Sequence, residues 1–167
     1  MIARRTLLSG VVSLGIAMTV EAAVPDGGPE APARAFVDAW NAHDMIAMEA
    51  VLSADAHWVN VVGMYWKGRD RIMFAQRFFH AGIFRHNQQE LQSVQTRMLS
   101  PDIALVMLDC LQDEYQTPSG HVMPQALDRL SLVVVRQPTG WRISHGQNTI
   151  VDARAATSDP VLHMPKG

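Results

Sequence analysis

The hydrophobic pattern of this chain changes period once, near Phe84, and that change limits the fold more than any other feature. Upstream, Ala33, Phe36, Val37 and Trp40 recur at i, i+3, i+4 and i+7, the stripe of one helix face. That helix is expected to end near Asn41-Ala42-His43. Asp44 can then cap a second, short helix that turns Met45, Met48 and Leu52 inward. Ser53-Ala54-Asp55 reads as a break, residues 58–62 as a strand, and residues 63–68 as a turn-rich link. A third helix follows, with Ile72, Ala75, Phe79, Gly82 and Ile83 on one side. Downstream, apolar stretches at 90–98, 102–115, 121–136 and 141–150 are divided by Ser100-Pro101, by Thr117 to Gly120 and by Pro138-Thr139-Gly140. Such separators suit antiparallel hairpins. Helices followed by consecutive antiparallel strands predict an α+β fold, a curved sheet packed on three N-terminal helices with a concavity at its open end.

The two ends of the chain read differently from this middle. Arg4-Arg5, Leu7-Leu8, a Gly/Ser/Thr-diluted apolar run to Val20 and the small-residue context Val20-Glu21-Ala22 predict a signal peptide over 1–22. The paired arginines favour the twin-arginine route over the general one, and either route exports the protein to the periplasm or beyond. The run is shorter than the roughly 20 apolar residues of a membrane span, so no stable insertion is expected once the signal is removed. Residues 23–29 form a Pro/Gly linker, 30–152 the folded domain and 153–167 a loose tail. A length of 167 residues fits one such domain. A net charge of −2 with scattered Arg and Lys gives no basic face for nucleic acid. The single cysteine, Cys110, lies in an apolar run and reads as a small buried hydrophobe.

Strand alternation sorts the side chains that can carry chemistry, because residues two apart share a face. Trp58, Asn60 and Val62 lie together, as do Trp141, Ile143, His145, Gln147 and Thr149. Each set mixes apolar bulk with a few polar tips, the make-up of a small-molecule pocket. Asn60 and Gln147 are either ligand anchors or structural amides. His80, at the border of the third helical stripe, and His145 are candidate general bases, and Asp109 is a candidate carboxylate. Trp40, Trp58, Met64, Tyr65, Trp66 and Phe79 are the candidate walls. The seven histidines are dispersed, and HExxH, CxxC, GxSxG, Walker and GxGxxG strings do not occur. Neither a metal site nor a nucleotide or flavin cofactor is expected.

Three strings carry a resemblance to a known family: Phe36 to Asp44 (FVDAWNAHD), Val59 to Arg69 (VNVVGMYWKGR), and Gly140 to Ile143 (GWRI) running into Gln147-Asn148-Thr149. In this order and spacing the chain resembles the nuclear transport factor 2-like superfamily, and within it the SnoaL-like group that includes the SgcJ/EcaC family. The resemblance spans about residues 30 to 150. It implies a cone of three helices over a strongly bent sheet, often dimeric, so a homodimer is expected. It also implies an apolar small-molecule ligand and, for enzymatic members, cofactor-free isomerase, cyclase or dehydratase chemistry near a carbonyl. A non-catalytic binding or association module is the alternative. Ser144-His145-Gly146 departs from the small apolar residues usual before Gln147, which would alter the polarity of the pocket.

Overall fold

A computed structural model describes residues 27–165, so the signal peptide expected over 1–22 lies outside the described residues. Helix α1 (Ala31–Ala42) begins with Pro32 in its first turn, where the missing N–H costs nothing, and buries Ala33, Phe36, Val37 and Trp40. It stops at His43, which adopts the left-handed conformation (φ 52°). Asp44 caps α2 (Met45–Ala50) as expected, accepting from the backbone N–H groups of Ile46 and Ala47 at 3.0 and 2.9 Å. The third helix, α3 (Arg69–Ala81), buries Ile72, Met73, Gln76 and His80, a stripe shifted by one residue from the expected one.

Eight strands follow the pattern β1 (Leu52–Val59), β2 (Tyr65–Lys67), β3 (Gln89–Ser100), β4 (Ile103–Gln112), β5 (Tyr115–Gln116), β6 (Val122–Met123), β7 (Ala126–Gln137) and β8 (Gly140–Ile150). Six of them form one sheet in the order β2-β1-β8-β7-β4-β3, and β5 and β6 make a small separate hairpin. All pairs in the main sheet are antiparallel except β1 with β8. The expected break at residues 53–55 is instead the start of β1, which β8 recruits into the sheet. Tyr65 to Lys67, expected as part of a link, are paired with β1 as β2.

The core lies between the helices and one face of the sheet. Ala104, Val106, Leu108 and Cys110 of β4, and Leu130, Leu132 and Val134 of β7, point into it with period two. Burial pushes the Cys110 thiol up to about 12, so it stays protonated as an inert core group. The terminal segment expected as a loose tail contains two short exposed turns, α4 (Ala153–Ala156) and a 3₁₀ turn (Pro160–His163). No helix among the described residues is long and apolar enough to cross a membrane.

One irregularity decides which side chains face inward. Val133 of β7 pairs with His145 and Val134 with Ile143, so Ser144 is an extra residue in β8. An inserted residue reverses the facing of everything after it. Ile143 points into the core, but beyond the bulge the inward positions are Gly146 and Asn148. The expected common face of Ile143, His145 and Gln147 is therefore corrected: His145 and Gln147 turn to the outer surface.

Candidate functional site

Between the sheet and the helices lies a cavity of about 310 Å³, at the small end of ligand sites. Its walls are mostly apolar and aromatic. Phe36 and Trp40 come from α1, Trp58 from β1, Trp66 from β2, Phe79 from α3, and Ile83 and Phe84 from the turn that follows. Phe36 stacks on Trp58 at 5.0 Å and 19°, and Phe84 meets Tyr115 edge-on at 5.0 Å. Offset and edge-to-face contacts of this kind hold the walls rigid around the space.

The floor of the cavity carries its charge. Asp128 occupies an inward position on β7, in step with Leu130, Leu132 and Val134, and is 2% exposed. Its Oδ2 accepts a hydrogen bond from Asn148 Nδ2 (2.9 Å), and Asn148 Oδ1 accepts one from Trp58 Nε1 (3.2 Å). The other carboxylate oxygen, Oδ1, is buried without a hydrogen-bond partner among the described residues. Burial pushes the Asp128 carboxyl up to about 6, even though the Asn148 side chain and the Thr149 backbone N–H favour its charged form. Tyr115, half-buried in the same wall, has its phenol raised by burial and by the Asp128 charge, so it keeps its proton.

Gly146 makes the Trp58 part of this arrangement feasible. A Cβ at position 146 would stand inside the Trp58 ring, so only glycine lets the indole lie flat across β8 and reach Asn148.

The candidates named from the sequence divide between the two sides of the sheet. Trp40, Trp58, Asn60, Met64, Trp66 and Phe79 all line the cavity. The Asn60 oxygen, however, accepts from the N–H groups of Val62 and Met64 (3.1 and 2.8 Å), closing the turn between β1 and β2. Tyr65 faces outward with its hydroxyl on His57 Nδ1 (2.7 Å). Asp109 also faces outward, bound by Arg129 through both carboxylate oxygens (2.7 and 3.0 Å), and this pairing lowers its carboxyl below the usual value. His145 lies beside His57 in the parallel ladder on that surface. His80 is buried but belongs to a separate cluster: its Nδ1 is 2.8 Å from His43 Nδ1, and its ring meets Trp40 edge-on. Burial and His43 push His80 down to about 4, so it is neutral near pH 7. His80, His145, Asp109, Tyr65 and Gln147 are thus not among the cavity-lining residues.

Asp128 and Asn148 are the residues that sequence reasoning missed. The first had a local signal, an aspartate on the apolar parity of a strand that reads Asp128, Leu130, Leu132, Val134. The second had none, because the bulge that turns it inward is visible only in the pairing.

Comparison with known proteins agrees with this geometry. A family model described as the SnoaL-like domain matches residues 33–144. No curated protein matches the chain. Among solved structures, an uncharacterised protein with a cystatin-like fold from Caulobacter vibrioides is 44% identical, covering 81% of this chain and 95% of its own, with a TM-score of 0.78. A ketosteroid isomerase-like protein from Erwinia carotovora atroseptica is 20% identical over 81% of this chain and 99% of its own (TM-score 0.62). An NTF2-like protein with a cystatin-like fold from Novosphingobium aromaticivorans is 18% identical over 76% and 82% (TM-score 0.61). The bent sheet over three N-terminal helices and the family match leave one assignment: this chain belongs to the SnoaL-like domain family of the NTF2-like fold.

Proposed function

We propose that this protein is an exported, cofactor-free acid–base catalyst acting on an apolar carbonyl compound, by isomerisation, cyclisation or dehydration, with Asp128 transferring the proton. The observation that supports it is a buried carboxyl in the wall of an apolar cavity, Asp128, raised to about 6 and with its Oδ1 unpartnered. A base of that strength is mostly ionised at pH 7, yet still gives its proton back readily. Oδ1 takes a proton from the carbon beside the carbonyl, and the protonated carboxyl returns it to another position of the same molecule. The Tyr115 phenol is a donor available to the enolate oxygen. Asn148 and Trp58 are positioning residues that fix the carboxylate through Oδ2.

The test is α-proton exchange of 1-tetralone in deuterated buffer, followed by NMR. The wild-type protein is expected to accelerate exchange, and Asp128→Asn to lower that rate about 10²–10⁴-fold, the usual weight of a general base. Exchange that persists in Asp128→Asn would remove Asp128 from the role. The pH profile should rise with ionisation of a group near 6. Export rests on Arg4-Arg5 and the segment through Ala22; fractionation of cells carrying the full chain checks it, and retention in the cytoplasm counts against it.

A further inference from the structure

The cavity is one-sided in charge. Among the described residues that line it there is no lysine, arginine or histidine, and Asp128 is the carboxylate in its wall. No cation among the described residues balances that carboxylate. Its Oδ2 rests on the neutral Asn148 amide, while the neighbouring Arg129 is turned to the outer face and bound to Asp109. Once ionised, Asp128 gives the cavity a negative potential. In a water-poor space this potential reaches several ångströms, so it needs no contact between the carboxylate and a ligand.

Much of the remaining wall is aromatic. Phe84 meets Trp40 at 5.1 Å, Tyr115 at 5.0 Å and Phe79 at 5.9 Å, and Phe79 meets Trp66 at 6.1 Å. Successive planes are tilted by 45° to 74°, so the ring faces are turned in several directions rather than stacked in one. A ring face is the negative side of the aromatic quadrupole and attracts a cation.

The same wall narrows the kind of cation. An ammonium with three N–H groups needs three acceptors, and the Asn60 oxygen is already taken by the turn between β1 and β2. A quaternary ammonium spreads its charge over methyl groups and needs no acceptor, so it suits apolar and aromatic surroundings.

We infer that the cavity takes apolar cations of the quaternary-ammonium class ahead of neutral or anionic molecules of the same shape. The inference shares the Asp128 carboxylate with the proton-transfer reading but not the transfer itself. For a carbonyl substrate it adds a cationic group to the apolar body.

Three probes with a phenyl ring and a tetrahedral head differ in charge: phenyltrimethylammonium, tert-butylbenzene and benzenesulfonate. Trp40, Trp58 and Trp66 line the cavity, so quenching of tryptophan fluorescence reports dissociation constants. At pH 7.5 the cation is expected to bind about ten- to hundredfold more tightly than tert-butylbenzene, and benzenesulfonate at least about tenfold more weakly than it. Asp128→Asn keeps the shape and removes the charge, so the cation's advantage should fall to the roughly two- to fivefold that ring faces supply. In the wild-type protein the advantage should also shrink about five- to tenfold from pH 7.5 to pH 5, as the carboxyl takes its proton. The other titratable groups around Asp128, Tyr115 from β5 and Cys110 opposite it on β4, stay protonated over that range. His80, behind Trp40, stays neutral over most of it.

Equal affinity for the cation and tert-butylbenzene at pH 7.5 overturns the inference, as does a cation that does not bind. An advantage undiminished in Asp128→Asn overturns it too; should that variant not fold, an advantage unchanged at pH 5 does so. If the advantage is absent while 1-tetralone exchanges through Asp128, the proton-transfer reading stands alone. If the advantage holds without that exchange, the cation site stands and the proton transfer falls.

Discussion

Asp128 and His80 are buried groups whose titrations oppose each other. The folded state raises Asp128 from 3.8 to about 6, so folding is weakened as the carboxyl ionises, with stability lost as pH rises from about 4 to 6. It lowers His80 from 6.5 to about 4, so stability is lost as pH falls through that interval, because the unfolded chain takes up the proton first. Each shift corresponds to about 3 kcal/mol, so between pH 4 and 6 the two contributions largely cancel. Asp128→Asn keeps an oxygen for Asn148 Nδ2 and removes the buried charge. Urea unfolding should find this variant more stable than wild type by about 1–3 kcal/mol at pH 7.5, with the gap closing towards pH 4. The variant should also lose stability on acidification below 6.5, as the His80 contribution is no longer offset. A gap of the same size at both pH values would show that Asp128 is not destabilised by its burial. A residue that weakens the fold where it is ionised is a common mark of a functional site.

At the scale of the element, β8 decides the site. Its first half follows the alternation of Trp141 and Ile143, the extra Ser144 resets the parity, and Gly146 then gives Trp58 a flat surface to lie on. Gly146→Ala forces the indole off the strand, breaking the Nε1 bond to Asn148 and disturbing the stack on Phe36. Denaturation should show a loss of about 1–3 kcal/mol, as for other overpacked cores. The affinity for 1-tetralone should fall as the ring enters the cavity. Unchanged stability together with unchanged affinity would mean the backbone moves instead and that Gly146 is not required. Helix α2 shows the opposite case, an element whose start is fixed locally by the Asp44 side chain whatever the sheet does.

At the scale of the whole molecule, the helices cover one face of the sheet, and among the described residues no layer covers the other. Leu105, Met107, Val133 and Val135 on that outer face are only half-buried. Around them lie the Asp109–Arg129 ion pair and the neighbouring His57 and His145. We propose that a second copy of this chain covers the face, giving the homodimer. Solution scattering should then return a dimer mass, and Val133→Glu should reduce it to a monomer mass without altering the far-ultraviolet circular dichroism. A monomer mass for the wild-type protein at high concentration would remove the proposal.

The sequence by itself determined the α1 stripe, the Asp44 cap, the succession of antiparallel strands and most of the aromatic wall, because these depend on spacing between near neighbours. Trp58 is on the same side whether judged from alternation or from the folded sheet. Strand β2 was hidden because three residues acquire a strand conformation only through their partner in β1. The inward turn of Asn148 and the outward turn of His145 and Gln147 were hidden for a related reason. A bulge is a mismatch between two strands, so it exists only once β7 and β8 are paired. Asp128 lay between these cases: its parity was readable, but only burial beside the cavity raised its carboxyl and left one oxygen unpartnered.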